Sequence, residues 1–399
     1  MAQISRRHFL QAAGAALTTA GISRWQTERY GKVLAQSTPR KLALLVGIND
    51  YIDAPLGGCV NDAILQRQLL IHRFGFNPKD ILMLFDGDAT REGMLTAFEE
   101  HLIKQTKPGD VVVYHFSGHG SQVLDPQPTL TDFTAPSGTG LNGTFVPIDA
   151  TLPETYPAEG GAVKDIMGHT LFLLMSAIKT ENFTAVLDSC FSGSATRSSG
   201  GLVHRARAGG ETIEISALEK DYQAQWLSRL GWSHEEFVQR YQQGIANGIV
   251  LASTQRDQYA VDEQLNGFTA GAFTFRLTQR LWQMDTTPAA VIDYINSVMP
   301  EDYEQNPQVE AEAGSSYAQD PIFFVKNSAA VADALVVERP QDKAVILLVG
   351  IEPGKIRRGQ VFQTRDRGGE VAIAFRDGLA AVGSVTGQIQ VGDRLRLQH

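Results

Sequence analysis

The stretch "VVVYHFSGHGS", Val111 to Ser121, decides the fold. An uncharged run rich in β-branched and aromatic residues reads as a strand buried on both faces, the kind found in parallel sheets. The Ser-Gly-His-Gly-Ser that follows reads as a tight loop and sets His119 between two glycines at the strand's end. "FTAVLDSCFSG", Phe183 to Gly193, repeats the design, with Cys190 at the tip. In an open parallel sheet, reactive groups collect at the carboxyl ends of the strands, where loops present them. A strand-end histidine alone is more often a hydrogen-bonded loop residue, and a buried cysteine alone a small hydrophobe. Together they suit nucleophilic catalysis, because an imidazole both stabilises a thiolate and later protonates a leaving amine. The backbone amides of Gly120 and Cys190 are the candidate donors to a developing oxyanion.

Working outward, short apolar runs alternate with amphipathic stretches from Lys41 onward, the pattern of an α/β domain with a mostly parallel sheet. Strands are expected at "KLALLVGI", "DILMLF", "DVVVYHF", "FTAVLDS", "GIVLAS" and "PIFFV". Helices are expected at "NDAILQRQLLIHRFG", "REGMLTAFEEHLIKQ", "DIMGHTLFLLMSAIK" and "AGAFTFRLTQRLWQ". Two long polar insertions, about 122–161 and 192–215, interrupt the rhythm beside the two motifs and are expected to be flexible. After a linker-like "NSAAVADAL", five short strands from about residue 336 to 399 read as a small β-barrel or sandwich that carries no chemical motif.

The bulk numbers narrow the function. A formal charge of −9 and sparse basic clusters argue against a nucleic-acid partner. With two cysteines, Cys59 and Cys190, a disulfide framework and a four-thiolate zinc site are excluded. A metal hydrolase built on His115 and His119 fails on geometry, since that spacing suits a helix and the segment reads as strand then loop. At the front, "SRRHFLQ" precedes a modest apolar run and small residues recur at "VLAQS", so residues 1–35 resemble a bacterial twin-arginine export signal. The run is too short and too rich in Ala, Gly and Thr to span a bilayer stably, and the expected location is an exported, soluble one.

"YHFSGHGSQV" and "VLDSCFSG" resemble the His and Cys motifs of the caspase-like cysteine peptidases, specifically the metacaspases and the bacterial orthocaspases. "ALLVGINDYIDAPLGGCVNDA", "GTFVPIDA" and "VLASTQRDQYAVDE…GAFTFRL" agree in the same order, so the likeness covers about residues 41–326. It implies a caspase-hemoglobinase fold and a peptidase with His119 as general base and acid and Cys190 as nucleophile, usually as a monomer. Residue by residue it also implies a specificity pocket with Asp62 and Asp188 as its acidic floor and Cys59 and Ser117 as its wall. Taken without the resemblance, Asp62 is an acid at a helix N-terminus and Asp188 a turn residue. Two carboxylates in a partly dry pocket select a cationic side chain, Arg ahead of Lys because a guanidinium meets carboxylates two-pronged.

Arg197, Arg205 and Arg207 lie in "SATRSSGGLVHRARAGG", just past the nucleophile, and are candidates for self-cleavage. Many metacaspases bind calcium through an aspartate pair and an acid seven residues past the nucleophile. Here the pair is Asp165 followed by Ile166, and position 197 is arginine, so the expectation is calcium independence and no required cofactor. The competing class is a catalytically silent caspase-like scaffold that binds partners through its β-rich tail.

Overall fold

The computed structural model describes residues 39–125, 140–190, 198–199, 202–365 and 367–398. The twin-arginine segment and Arg197 lie outside them. In chain order the strands of the first two-thirds are Lys41–Gly47 (β1), Ile81–Phe85 (β2), Val111–Ser117 (β3), Gly120–Leu124 (β4), Leu141–Phe145 (β5), Gly161–Val163 (β6), Ile166–Met167 (β7) and Phe183–Asp188 (β8). They continue with Ser198–Ser199 (β9), Leu202–Val203 (β10), Gly210–Ile215 (β11), Ile249–Ala252 (β12), Asp262–Leu265 (β13), Phe268–Gly271 (β14) and Gln308–Ala311 (β15). The helices are Cys59–His72 (α1), Arg91–Ala97 (α2), Gly168–Ser176 (α3), Ala217–Leu230 (α4), His234–Gln242 (α5), Ala272–Gln283 (α6) and Pro288–Val298 (α7).

The central sheet runs β15-β12-β8-β3-β1-β2, parallel throughout except for β15 at one edge. Alternation along β1 shows why it holds together: Leu42, Leu44 and Val46 face a core shared with Phe98, Phe172 and Trp226, while Ala43 and Leu45 face the other, shared with Leu69, Phe273 and Leu277. Both faces are dry, so β3 and β8 are buried at every position, Asp188 at the end of β8 included. Helix α1 opens with Asn49 Oδ1 accepting from the amides of Cys59 and Val60. The chain leaves it through Gly75 at φ 69°, a left-handed turn that glycine takes without strain.

A second sheet, β6-β11-β4-β5-β7, stands beside the site. Val123, Val163, Met167, Ile213 and Ile215, at and just beyond the described ends of the two insertions, form its own small core. The tail is a closed barrel of Ala334–Glu338 (β16), Lys343–Leu348 (β17), Val361–Thr364 (β18), Glu370–Asp377 (β19), Ala380–Thr386 (β20) and Arg394–Leu397 (β21). Its sixth strand, β16, begins inside the linker-like segment. One flank packs Leu335, Leu347 and Leu379 against Trp282 and Phe323 of the larger domain. Arg376 Nη1 also reaches the carbonyl of Asn266 at the tip of the β13–β14 hairpin (2.8 Å).

Two expectations fail. "PIFFV" is a single 3₁₀ turn at Ile322–Phe324, an apolar run being equally at home in a short strand or a buried turn. The segment "DIM" ahead of α3 is not helix: Asp165 lies between β6 and β7, Ile166–Met167 form β7, and α3 starts only at Gly168.

Candidate active site

Strands β3 and β8 pair in parallel with Ser117 opposite Asp188, and His119 and Cys190 each lie two residues beyond that pair. Both therefore emerge at the carboxyl end of neighbouring central strands. The glycines are there for close approach: a methyl group on Gly120 would lie 1.7 Å from the carbonyl oxygen of Cys190, so no other residue fits without moving the backbone.

His119 is nearly fully buried. Its backbone N–H donates to the Tyr51 hydroxyl (3.0 Å), whose own proton goes to the carbonyl of Val146 (2.8 Å), and the two rings meet with centroids 4.5 Å apart. Nε2 lies 2.7 Å from the carbonyl oxygen of Ala54, an acceptor only, so Nε2 carries the proton. The unprotonated nitrogen is then Nδ1, which has no hydrogen-bond partner among the described residues. This is the tautomer a general base needs, fixed by the Ala54 carbonyl on the other ring nitrogen. Burial pulls the imidazole down to about 4 and pushes the Cys190 thiol up to about 12. Near neutral pH both are uncharged in this closed arrangement, with Sγ held by the amide of Ala260 (2.9 Å).

The arrangement is closed because the chain occupies its own site. The backbone N–H groups of Gly120 (3.1 Å) and Cys190 (3.2 Å), the two candidate oxyanion donors, converge on one acceptor, the carbonyl oxygen of Arg205. The N–H of Arg205 donates to the carbonyl of Ala260 (2.9 Å), and His204 bridges Val261 in antiparallel register. Backbone pairing of this kind, on both sides of one carbonyl, is how extended peptides are bound along a strand edge.

The side chain of Arg205 completes the picture. It is fully buried, although its sequence neighbourhood reads as a loose polar linker. Nη2 lies 2.7 Å from Asp62 Oδ2 and 2.8 Å from Asp262 Oδ1, and Nη1 donates to Ser117 Oγ (2.6 Å) and lies 3.2 Å from Asp188 Oδ2. Burial works against the guanidinium charge, and the carboxylates of Asp188, Asp62 and Asp262 outweigh it. Each acid is fixed in turn. Asp62 accepts from Ser117 Oγ (2.7 Å) and the Gly271 amide (2.9 Å), Asp188 from the amide and hydroxyl of Thr274, and Asp262 from the Gly57 amide (2.8 Å). Cys59 is buried beside them with its thiol pushed up by desolvation, so it adds an uncharged wall. A side chain at Gly271 would strike both Asp188 and Arg205.

Of the four residues expected to form a pocket, Asp62, Ser117 and Asp188 meet one guanidinium, and Cys59 is buried beside Ser117. Asp262, a third carboxylate contributed by β13, was missed. It lies within "AVDE", downstream of the nucleophile, and only the hairpin that folds β13 back against α1 brings it in. Arg207 is held elsewhere: its guanidinium grips both oxygens of the fully buried Asp165 (2.8 and 2.7 Å) and the carbonyl of Ala150 (3.0 Å). Among the described residues no group of three or more His, Cys, Asp or Glu side chains is arranged to hold a metal ion.

Comparison with known proteins identifies the family. Residues 40–317 match the caspase domain family of peptidases. Curated relatives include a metacaspase-1 of Scheffersomyces stipitis, 25% identical over 329 residues that cover 74% of this chain and 75% of that one. Another is a metacaspase-1 of Meyerozyma guilliermondii, 26% identical over 333 residues, covering 73% and 75%. A solved structure from Geobacter sulfurreducens superposes with a TM-score of 0.49 at 19% identity, covering 72% of this chain and 100% of that one. The chain therefore belongs to the caspase-domain family and is a metacaspase-like cysteine endopeptidase.

Proposed function

We propose that this peptidase cuts after arginine through His119 and Cys190, and that it matures by cutting its own chain between Arg205 and Ala206. One observation carries the reading: Arg205 fills the acidic pocket while its carbonyl accepts from both oxyanion donors. In the reaction His119 Nδ1 takes the Cys190 proton and Sγ attacks the Arg205 carbonyl carbon. The oxygen's developing charge falls to the Gly120 and Cys190 amides, donors whose individual loss typically costs about a hundredfold or more. Collapse expels the Ala206 amine, protonated by His119, and leaves a thioester that water hydrolyses.

The pocket supports arginine over lysine because two guanidinium nitrogens reach four side chains, where a single ammonium cannot. Of the three self-cleavage candidates, Arg205 is the one so seated, Arg207 is engaged by Asp165, and Arg197 lies outside the described residues. Asp165 already has a cation in the Arg207 guanidinium, which supports calcium-independent activity. The twin-arginine segment supports export, no helix among the described residues is long and apolar enough to cross a membrane, and a monomer is the expected state.

Fluorogenic amides ending in Arg, Lys or Asp test the specificity. The expected order of kcat/KM is Arg, then Lys, with Asp at background and all hydrolysis lost in Cys190→Ala. Efficient turnover of the Asp substrate refutes the pocket assignment, and undiminished activity in a folded Cys190→Ala refutes the nucleophile. A silent scaffold shows no hydrolysis in either chain.

A further inference from the structure

The strand that follows the proposed cut is bound as carefully as the arginine before it. Ala206 is fully buried and bridges Gly120 in parallel register, and the N–H of Arg207 donates to the carbonyl of Gly120 (2.8 Å). The Arg207 side chain is then led into a separate seat. There Asp165 meets it with both carboxylate oxygens, Ala150 adds its carbonyl, and Thr144 Oγ1 donates to Asp165 Oδ2 (2.5 Å). Thr144 sits on β5 and Asp165 in the turn between β6 and β7, so the seat belongs to the second sheet and is independent of the Arg205 pocket.

A two-pronged guanidinium contact in a dry site is demanding in geometry and charge. It is also strictly placed along the chain, two residues past the carbonyl in the oxyanion site. We propose that Asp165, Thr144 and the Ala150 carbonyl form a primed-side subsite that recognises a basic residue two positions after the cut bond, so that the preferred sequence is Arg-x-Arg. This rests on the assignment of Arg205 as the residue before the cut and adds a second contact to it. Of the three candidate arginines, only Arg205 has an arginine two places on; Arg197 is followed by Ser199 and Arg207 by Gly209. The subsite thus helps choose the self-cleavage point as well as substrates that follow. In the matured enzyme Arg207 itself is the competing occupant, since β11 is knit between β4 and β6 on the far side of the cut.

The test uses full-length Arg207→Ala, whose seat is vacant, and quenched peptides based on residues 201–210, "GLVHRARAGG", with Arg, Ala or Glu at the second position after the cut. Comparing peptides on one enzyme removes any effect of the substitution on folding from the ratio. The Arg peptide should exceed the Ala peptide about tenfold in kcat/KM and the Glu peptide by more, and a further Asp165→Asn change should bring the ratio to about one. Equal cutting of the Arg and Ala peptides after their first arginine overturns the subsite while leaving arginine specificity standing. Failure of an Arg207→Ala chain already cut after Arg205 to cut any peptide removes both. A second reading comes from self-cleavage of the full chain. Arg207→Lys keeps the charge, loses the two-pronged contact and should slow it about tenfold without a large fall in Tm, whereas an unchanged rate counts against the subsite.

Discussion

Arg205 and Arg207 are two residues apart, equally polar in sequence and both buried, yet the molecule treats them differently. Arg205 faces three carboxylates and a serine drawn from α1, β3, β8 and β13, and its backbone is held at the reacting carbonyl. Arg207 faces one carboxylate, matched charge for charge, in a smaller sheet beside the catalytic strands. An excess of negative charge around one guanidinium is a site waiting for an arginine to come and go, because the empty pocket attracts the next one. A one-to-one pair is closer to an anchor. On the proposed function, the difference separates a seat for successive arginines from one that sets register.

The largest expected effect falls on the chemistry common to both. Cys190→Ala or His119→Ala should lower arginine-amide hydrolysis by at least about a thousandfold, as removal of a nucleophile or its base does elsewhere, with secondary structure unchanged by circular dichroism. Next come the pocket acids. Asp62→Asn and Asp188→Asn should each cost about a hundredfold in kcat/KM, since truncating one member of a buried charge pair costs roughly 2–5 kcal/mol. Asp262→Asn should cost less, because its carboxylate supports the Arg205 charge least of the three. An Asp262 variant as damaging as the Asp62 variant would redraw the pocket. Arg205→Ala should leave the chain uncut and destabilise the precursor by roughly 3–5 kcal/mol, the cost of stranding buried charges, read as a lowered urea midpoint in a Cys190→Ala background.

A smaller effect follows from pH. Burial holds His119 near 4 and His72 also near 4, below the ordinary value of 6.5, so the unfolded chain binds more protons than the folded one between those limits. The stability these two imidazoles contribute is then fully present above about 6.5 and is lost as pH falls toward 4. His119 alone contributes up to about 3 kcal/mol to that loss. In Cys190→Ala the His119 imidazole, followed by NMR, should titrate well below 6.5, and titration near 6.5 would mean that His119 is not held neutral by burial.

The site was legible to the extent that chemistry constrains sequence locally. Gly-His-Gly at one strand end and Asp-Ser-Cys at another are short, contiguous and suited to close backbone approach, so His119, Cys190 and the two candidate oxyanion amides could be proposed from one dimension. Asp62 and Asp188 entered through the resemblance, since a lone acid at a helix start or in a turn has ordinary reasons to be there. Asp262 and the burial of Arg205 could not be read. Their meaning depends on partners 57 and 88 residues away, and no local pattern distinguishes "HRARAGG" in a solvated loop from the same residues threaded through a cleft. The second sheet escaped for a similar reason, because its strands are short, polar at alternate positions and separated by the residues that most resemble loop. Asp165, read from the sequence as the remnant of a calcium site, is instead the counter-ion of Arg207.

The account's central claim is that the molecule holds its own chain as substrate at Arg205. Intact-mass analysis with N-terminal sequencing of the purified full chain, alongside Cys190→Ala, tests it most directly. The account predicts a fragment beginning at Ala206 in the active protein and an uncut chain in the variant. An uncut active protein, a cut at Arg197 or Arg207 in place of Arg205, or the same fragment in both proteins would contradict it.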